Sequence, residues 1–167
     1  PGQILDIGLE MQSPEGLHPA AGAILLALLD FETPLWSDLD NDSPPIQWVR
    51  FHTGAPYAYA KQHALFALHT DYDNLSNVDA YNPGTIESPQ ESTTLIVQTR
   101  GMDNNGRLRL TGPGIEKEAF LKLKGIKEQF LYQRSISQED YPLGIDMIFV
   151  WDRYLVAIPR TTRLEIL

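Results

Sequence analysis

The chain has no cysteine, which excludes disulfides, thiol nucleophiles and zinc–thiolate centres. Positive charge is scarce: 13 Lys and Arg stand against 22 Asp and Glu, a formal net charge of −9. Such a surface repels the phosphates of nucleic acid, so none is expected as a partner. An anionic small ligand would need a local basic pocket. The longest apolar run, AAGAILLALLDF (Ala20 to Phe31), falls short of the roughly 20 residues that a bilayer span needs, and it lacks the flanks of a signal peptide. No membrane partner is expected, and the cytoplasm is the default location. The GxSxG elbow, the Walker phosphate loop and the HExxH pair are missing as well. DLDND (Asp38, Asp40, Asp42) opens like a calcium loop, but Ser43 and Val49 replace the glycine and glutamate that such a loop requires. It reads as a solvated acidic loop. His52, His63 and His69 share no helical i, i+4 spacing, so no metal site is expected.

What is present describes an ordinary folded domain. With 167 residues, 43% of them hydrophobic and 21% charged, the chain (1–167) is expected to form a single domain with its own core. QILDIGLEM predicts a first strand. Pro19 suits the first turn of a helix ending near Phe31, and apolar residues on nearly every side of that helix imply that both faces meet protein. After the acidic loop SDLDNDSPP, the segment IQWVRFHTGAP (Ile46 to Pro56) reads as extended, punctuated by Gly54 and Pro56. HALFALHT predicts a short strand, followed by turn-rich sequence as far as Ser92. TTLIVQT and RLRLTG read as strands joined through a GMDNNG hairpin. EKEAFLKLK reads as a helix with acids in its first turn. GIDMIFVW and YLVAIP predict a second hairpin across Asp152-Arg153, and the run Met147 to Trp151 predicts a strand covered on both faces. The expected fold class is α/β: a three-layer mixed sheet with antiparallel hairpins.

Three stretches carry candidate site residues. In RLRLTGPGI, Arg107, Arg109 and Thr111 alternate with Leu108 and Leu110. Thr111, Gly112 and Gly114 then occupy a turn into the expected helix, a geometry that suits anions. The same pattern also fits a plain strand-to-helix turn with solvated arginines. RFHTGAP sets Arg50, His52 and Thr53 beside a glycine turn. In PLGIDMIFV, Asp146 stands at the mouth of an apolar strand and needs a partner, either Arg160 or Thr161 of IPRTTR. That pair could pin the hairpin, or it could orient Arg160 toward a phosphate-like group.

RFHTGAP, RLRLTGPGI, PLGIDMIFV and LVAIPRTTRLEIL, in this order and at these separations, carry a family resemblance. The sequence resembles the H component of the bacterial carbon–phosphorus lyase core complex for phosphonate use, from its initial PG to its C-terminal LEIL. The family usually has a helical segment ahead of the PG, which this sequence lacks. The resemblance implies a sheet like the large domain of pyridoxal-phosphate-dependent transferases, without the cofactor. The lysines agree with that: Lys61 falls in a loop, and Lys117, Lys122, Lys124 and Lys127 crowd the expected helix, so none has a Schiff-base context. The resemblance further implies assembly with subunits G, I and J and a supporting role in transferring alkylphosphonate onto the ribose of ATP with release of adenine; a homodimer when isolated is expected because an apolar sheet edge needs cover. It implies a component of an enzyme system with no catalysis of its own, and a relic cleft built from His52, Arg109, Asp146 and Arg160. The alternative is a free-standing enzyme that binds a nucleotide or phosphonate through its arginine-bearing turns.

Overall fold

The computed structural model describes residues 1–8, 11–75, 77–136 and 141–167. Along the chain the elements are β1 (Leu5–Asp6), α1 (Pro19–Leu28), β2 (Leu35–Ser37), α2 (Pro44–Thr53), β3 (Phe66–His69), β4 (Thr94–Gln98), β5 (Gly101–Thr111), β6 (Ala119–Lys124), α3 (Glu128–Ile136), β7 (Asp146–Trp151), β8 (Tyr154–Ile158) and β9 (Arg163–Ile166). Short 3₁₀ turns fill the polar stretches between β2 and β4.

The main sheet has the strand order β1-β8-β7-β4-β3-β2. β2, β3, β4 and β7 run parallel, and β8 returns antiparallel to β7. The hairpin across Asp152-Arg153 therefore forms as expected, with Asp152 in the left-handed region (φ 53°). β7 also has apolar neighbours on both faces. Met147 and Phe149 enter one core cluster, whereas Val150, with Ile148 packed alongside, enters the other. A second sheet, β6-β5-β9, is wholly antiparallel.

Two clusters divide the interior. α1 and α2 cover one face of the main sheet through Leu25, Ile46 and Val49 against Leu68, Ile96 and Val150. The second sheet and α3 cover the other face, where Leu108, Leu110, Leu121, Phe130 and Leu164 meet Leu95, Val97 and Phe149. The helices, the main sheet, and the second sheet with α3 make three layers. Gln98, at the end of β4, is buried but satisfied at both ends. Its amide oxygen accepts from His18 N (2.6 Å), and its amide nitrogen donates to Gly16 O (3.0 Å), anchoring the entry to α1.

Several expectations fail for definite reasons. IQWVRFHTGAP is mostly helix: Pro44 and Pro45 start it after Ser43, whose hydroxyl donates back to Asp40 O, and Gly54 closes it in the left-handed conformation (φ 74°). Ile46 and Val49, one turn apart, are its buried stripe. EKEAFLKLK contributes a strand instead of a helix. Leu121 and Leu123 are buried while Lys122 and Lys124 are exposed, the two-residue period of a sheet. Of the lysines assigned to that helix, Lys122 and Lys124 lie on β6, while Lys117 and Lys127 lie outside it. GMDNNG does not close a hairpin, because β4 pairs on both sides with the parallel strands β3 and β7. The segment instead belongs to the long strand β5, whose pairing is irregular between Asp103 and Leu108. The first strand shrinks to Leu5–Asp6, with Leu9 and Glu10 outside the described residues. α1 ends at Leu28, short of Phe31, and buries one face only, leaving Ala27 and Leu28 exposed.

Candidate functional site

The nine sequence-predicted residues fall into three places. His52 and Thr53 end α2. His52 is exposed and meets Trp48 and Phe51 edge-on, while the Thr53 hydroxyl donates to Val49 O and accepts from Ala55 N. Arg109 lies on the outer face of the second sheet, on the opposite side of the main sheet. There it binds Glu118 (2.8 Å) and Glu165 (2.9 Å), and both carboxylates raise its pKa. Of the expected cleft of His52, Arg109, Asp146 and Arg160, the structure brings together only Asp146 and Arg160; His52 stands on α2 and Arg109 on the outer face of the second sheet.

The remaining six residues lie in one region. Thr111, Gly112 and Gly114 make the turn between β5 and β6. The helix expected after this turn is a strand, so no helix N-terminus stands behind it. Gly112 has φ 131°, and a Cβ there would meet Thr161 O at 2.9 Å, so this turn presses directly on the chain entering β9. Gly114, also at positive φ, packs near Pro1. A cavity of about 560 Å³ opens here, with Thr111, Gly112 and Pro113 on one side and Tyr141, Arg160, Thr161 and Arg163 on the other.

Arg160 is fully engaged. Its Nε and Nη2 bind the Asp146 carboxylate (3.2 and 2.5 Å), and the carboxylate also accepts from the Arg160 backbone N–H (2.7 Å). Nη1 donates to Pro89 O (2.6 Å) and Nη2 to the Ser92 hydroxyl (2.5 Å). A guanidinium has five N–H donors, and these contacts, with a longer one to Pro142 O (3.5 Å), use them. Arg160 therefore clamps the loop around Pro89–Ser92 to the start of β7. Arg134, buried beneath, donates to Pro159 O, and desolvation pulls its pKa down to about 10.

A second polar cluster stands at the opposite end of the parallel strands. Asp38 follows β2 and His69 ends β3. The carboxyl edge of parallel strands is where ligands gather in open α/β sheets. Asp38 accepts from Thr70 N (3.0 Å), the Thr70 hydroxyl (3.0 Å) and Asp71 N (2.8 Å). His69 Nε2 lies 2.6 Å from the Tyr81 hydroxyl, and its Nδ1 is 3.7 Å from Asp38. That last distance exceeds a hydrogen bond. Burial pushes the His69 pKa down to about 4, against the pull of Asp38, so the imidazole is neutral at pH 7 and the contact is not an ion pair. Lys61, expected in a loop without a special context, occupies a 3₁₀ turn with Nζ 4.5 Å from the Trp36 ring; desolvation lowers its pKa. An Asp–His–Tyr series can relay a proton, but His69 is fully buried and Tyr81 nearly so. The adjoining cavity of about 230 Å³ touches Tyr81 but not His69. Among the described residues no group of three or more His, Asp or Glu is arranged to hold a metal ion.

The family model described as "Bacterial phosphonate metabolism protein (PhnH)" matches residues 1–165. The chain belongs to this family. It is 33% identical over 167 residues to the alpha-D-ribose 1-methylphosphonate 5-triphosphate synthase subunit PhnH of Rhizobium meliloti (strain 1021), covering 99% of this chain and 83% of that protein. It is also 35% identical over 83 residues to the putative C-P lyase subunit protein HtxG of Stutzerimonas stutzeri, covering 50% of this chain and 43% of that one.

Within this PhnH-family chain, sequence reasoning missed Arg163 and the Asp38–His69–Tyr81 cluster. The signal for the cluster was the polar residue that follows each short apolar strand, in LWSD and FALHT, which the parallel pairing Ser37↔Leu68 brings to one edge. For Arg163 the sequence carried no separate signal, because Glu165, two residues on along the same strand face, looks like its natural partner.

Proposed function

We propose that this chain is a subunit of a carbon–phosphorus lyase system for organic phosphonates. In that role it supports transfer of an alkylphosphonate onto the ribose of ATP, with release of adenine, to give a ribose 1-alkylphosphonate 5-triphosphate. The observation that carries this reading is the family match across residues 1–165, together with a relative whose printed name is a subunit of that synthase. The partners are the sister subunits G, I and J, and the location is the cytoplasm. No helix among the described residues is long and apolar enough to cross a membrane.

The chain acts by docking. Its His69 imidazole is fully buried, whereas large apolar groups stand uncovered where α1 and α2 end. Phe31 is 74% and Phe51 84% exposed, and Phe31 borders Gly54 at the α2 cap. Adjacent exposed apolar groups of this size mark protein contact surfaces. In isolation the same need for cover makes the chain pair with itself. Co-expressed with the sister subunits, the chain is expected to co-purify with them. Phe31→Glu with Phe51→Glu should abolish that while leaving the thermal midpoint of the isolated chain unchanged. Undiminished co-purification of the double variant would contradict this surface, and failure of the native chain to co-purify would contradict the reading itself.

The main sheet is further proposed to be a cofactor-free relative of the pyridoxal-phosphate transferase large domain. The parallel run β2-β3-β4-β7 closed by antiparallel β8 supports that reading. Lys61 is the residue on which to test it, because it is partly desolvated. Incubation with pyridoxal phosphate and borohydride should leave the Lys61 peptide unlabelled, and a labelled peptide would overturn the cofactor-free reading.

A further inference from the structure

The cavity between the β5–β6 turn and the chain entering β9 has the chemistry of an anion site, and Arg160 is not its anchor. Arg163 is. Thr111 and Arg163 are directly paired across β5 and β9, so their side chains share one face of the second sheet. That face is the outer one, because the next pair inward, Leu110 and Leu164, is buried in the core. Among the described residues the Arg163 guanidinium has no ion pair and no hydrogen bond, and the hydroxyls of Thr111 and Thr161 are likewise uncommitted.

The described carboxylates around this wall are engaged elsewhere. Glu165 neighbours Arg163 on the same face but binds Arg109, which also holds Glu118. Asp146 is bound to Arg160. No described carboxylate lines the cavity. In a chain of net charge −9, a concave wall whose described residues give it a free arginine, two free hydroxyls and no acid is a local positive focus. Gly112, by having no side chain, lets the β5–β6 turn close against Thr161 and fixes the two threonine-bearing segments beside each other.

We propose that this cavity binds a tetrahedral oxyanion, the phosphate or phosphonate end of a small molecule, with Arg163 as the forked charge partner and Thr111 and Thr161 as hydroxyl donors. Arginine fits such a group because its parallel N–H bonds match two oxygens at once. The volume of about 560 Å³ is in the usual range for small-ligand pockets, larger than one phosphate needs, so the anionic end carries an organic remainder. This assignment goes beyond the assembly reading and does not depend on it, since every group belongs to the isolated chain.

The test is a titration of the ¹⁵N-labelled full chain, without partners, with methylphosphonate, inorganic phosphate and ATP in separate arms. Saturable amide shifts are expected at Thr111 to Ile115 and Thr161 to Leu164. A tighter response to methylphosphonate assigns a phosphonate, and a tighter response to ATP assigns a nucleotide phosphate; either supports an oxyanion site. Arg163→Gln should weaken binding at least about tenfold, equivalent to about 1.4 kcal/mol, with Arg163→Lys intermediate. Both variants should keep the native thermal midpoint because the side chain is exposed. Lys122→Gln, which removes an exposed charge elsewhere on the second sheet, should bind as the native chain does. Absence of shifts in all three arms overturns the proposal. So does unchanged affinity in Arg163→Gln, or equal weakening in Lys122→Gln, which would reveal diffuse attraction in place of a site.

Discussion

At the carboxyl end of β2 and β3 the polar groups are walled in; at the amino end of β7 a similar cluster borders an open cavity. Asp38 is held by the backbone N–H groups of Thr70 and Asp71, His69 Nε2 meets the Tyr81 hydroxyl, and the buried imidazole has no opening to solvent, its Nδ1 being left without a hydrogen bond. Asp146 and Arg160 are equally occupied with each other, but Arg163 stands beside them with no partner among the described residues. Residue type alone does not separate a structural charge from a binding one. Arg160 and Arg163 are the same side chain on the same cavity wall, and what divides them is whether the donors are already spent.

The largest effect should come from breaking the clamp. Arg160→Ala leaves Asp146 partly buried (31% exposed) without its counter-ion and frees the Pro89–Ser92 loop. A loss of about 2–4 kcal/mol in urea unfolding is expected, toward the lower end of buried-pair losses because the site is not fully closed. A loss below about 0.5 kcal/mol would mean that the clamp is dispensable, and the contrast between the two arginines would fail.

The walled-in cluster is sharpened by pH. His69 titrates at about 4 when folded, below its ordinary 6.5, so between those values the unfolded chain binds more protons. Stability therefore falls as the pH drops from 6.5 toward 4, by at most about 3 kcal/mol from this residue. His18, also held down chiefly by burial, contributes with the same sign. His69→Phe should flatten the decline over that window relative to the native chain, measured as unfolding free energy at successive pH values. An identical slope would show that the imidazole is not kept neutral.

The smallest effect is predicted for Arg163→Gln, less than about 0.5 kcal/mol, as for a surface residue away from packed features. A large loss would move Arg163 into the same class as Arg160.

Much of the main sheet is legible in the sequence because its cues are local. Pro19 opens α1, and the apolar run from Met147 marks a strand covered on both sides. Local reading fails where distant pairing overrides local preference. Lys-, Glu- and Leu-rich EKEAFLKLK favours a helix by propensity, yet Leu121 and Leu123 alternate inward once β5 supplies a partner. α2 escapes such a reading because its proline start lies outside Ile46, while aromatic and β-branched residues inside it suggest an extended chain. The Asp146–Arg160 pair is legible from chemical need, since a carboxylate at a strand mouth must find a cation. In the structure the Arg160 donors are taken up within the chain, by Asp146, Pro89 and Ser92. The Asp38–His69 juxtaposition is not legible, since it exists only through the parallel register of β2 and β3.

The central claim, that this chain works as a docked subunit, is tested most directly by native mass spectrometry of the complex purified from cells expressing the whole phosphonate-utilisation subunit set without tags on this chain. The account predicts intact assemblies whose mass includes this polypeptide of 18.8 kDa together with sister subunits. Finding the sister subunits assembled without it, and this chain only alone or paired with itself, would contradict the account.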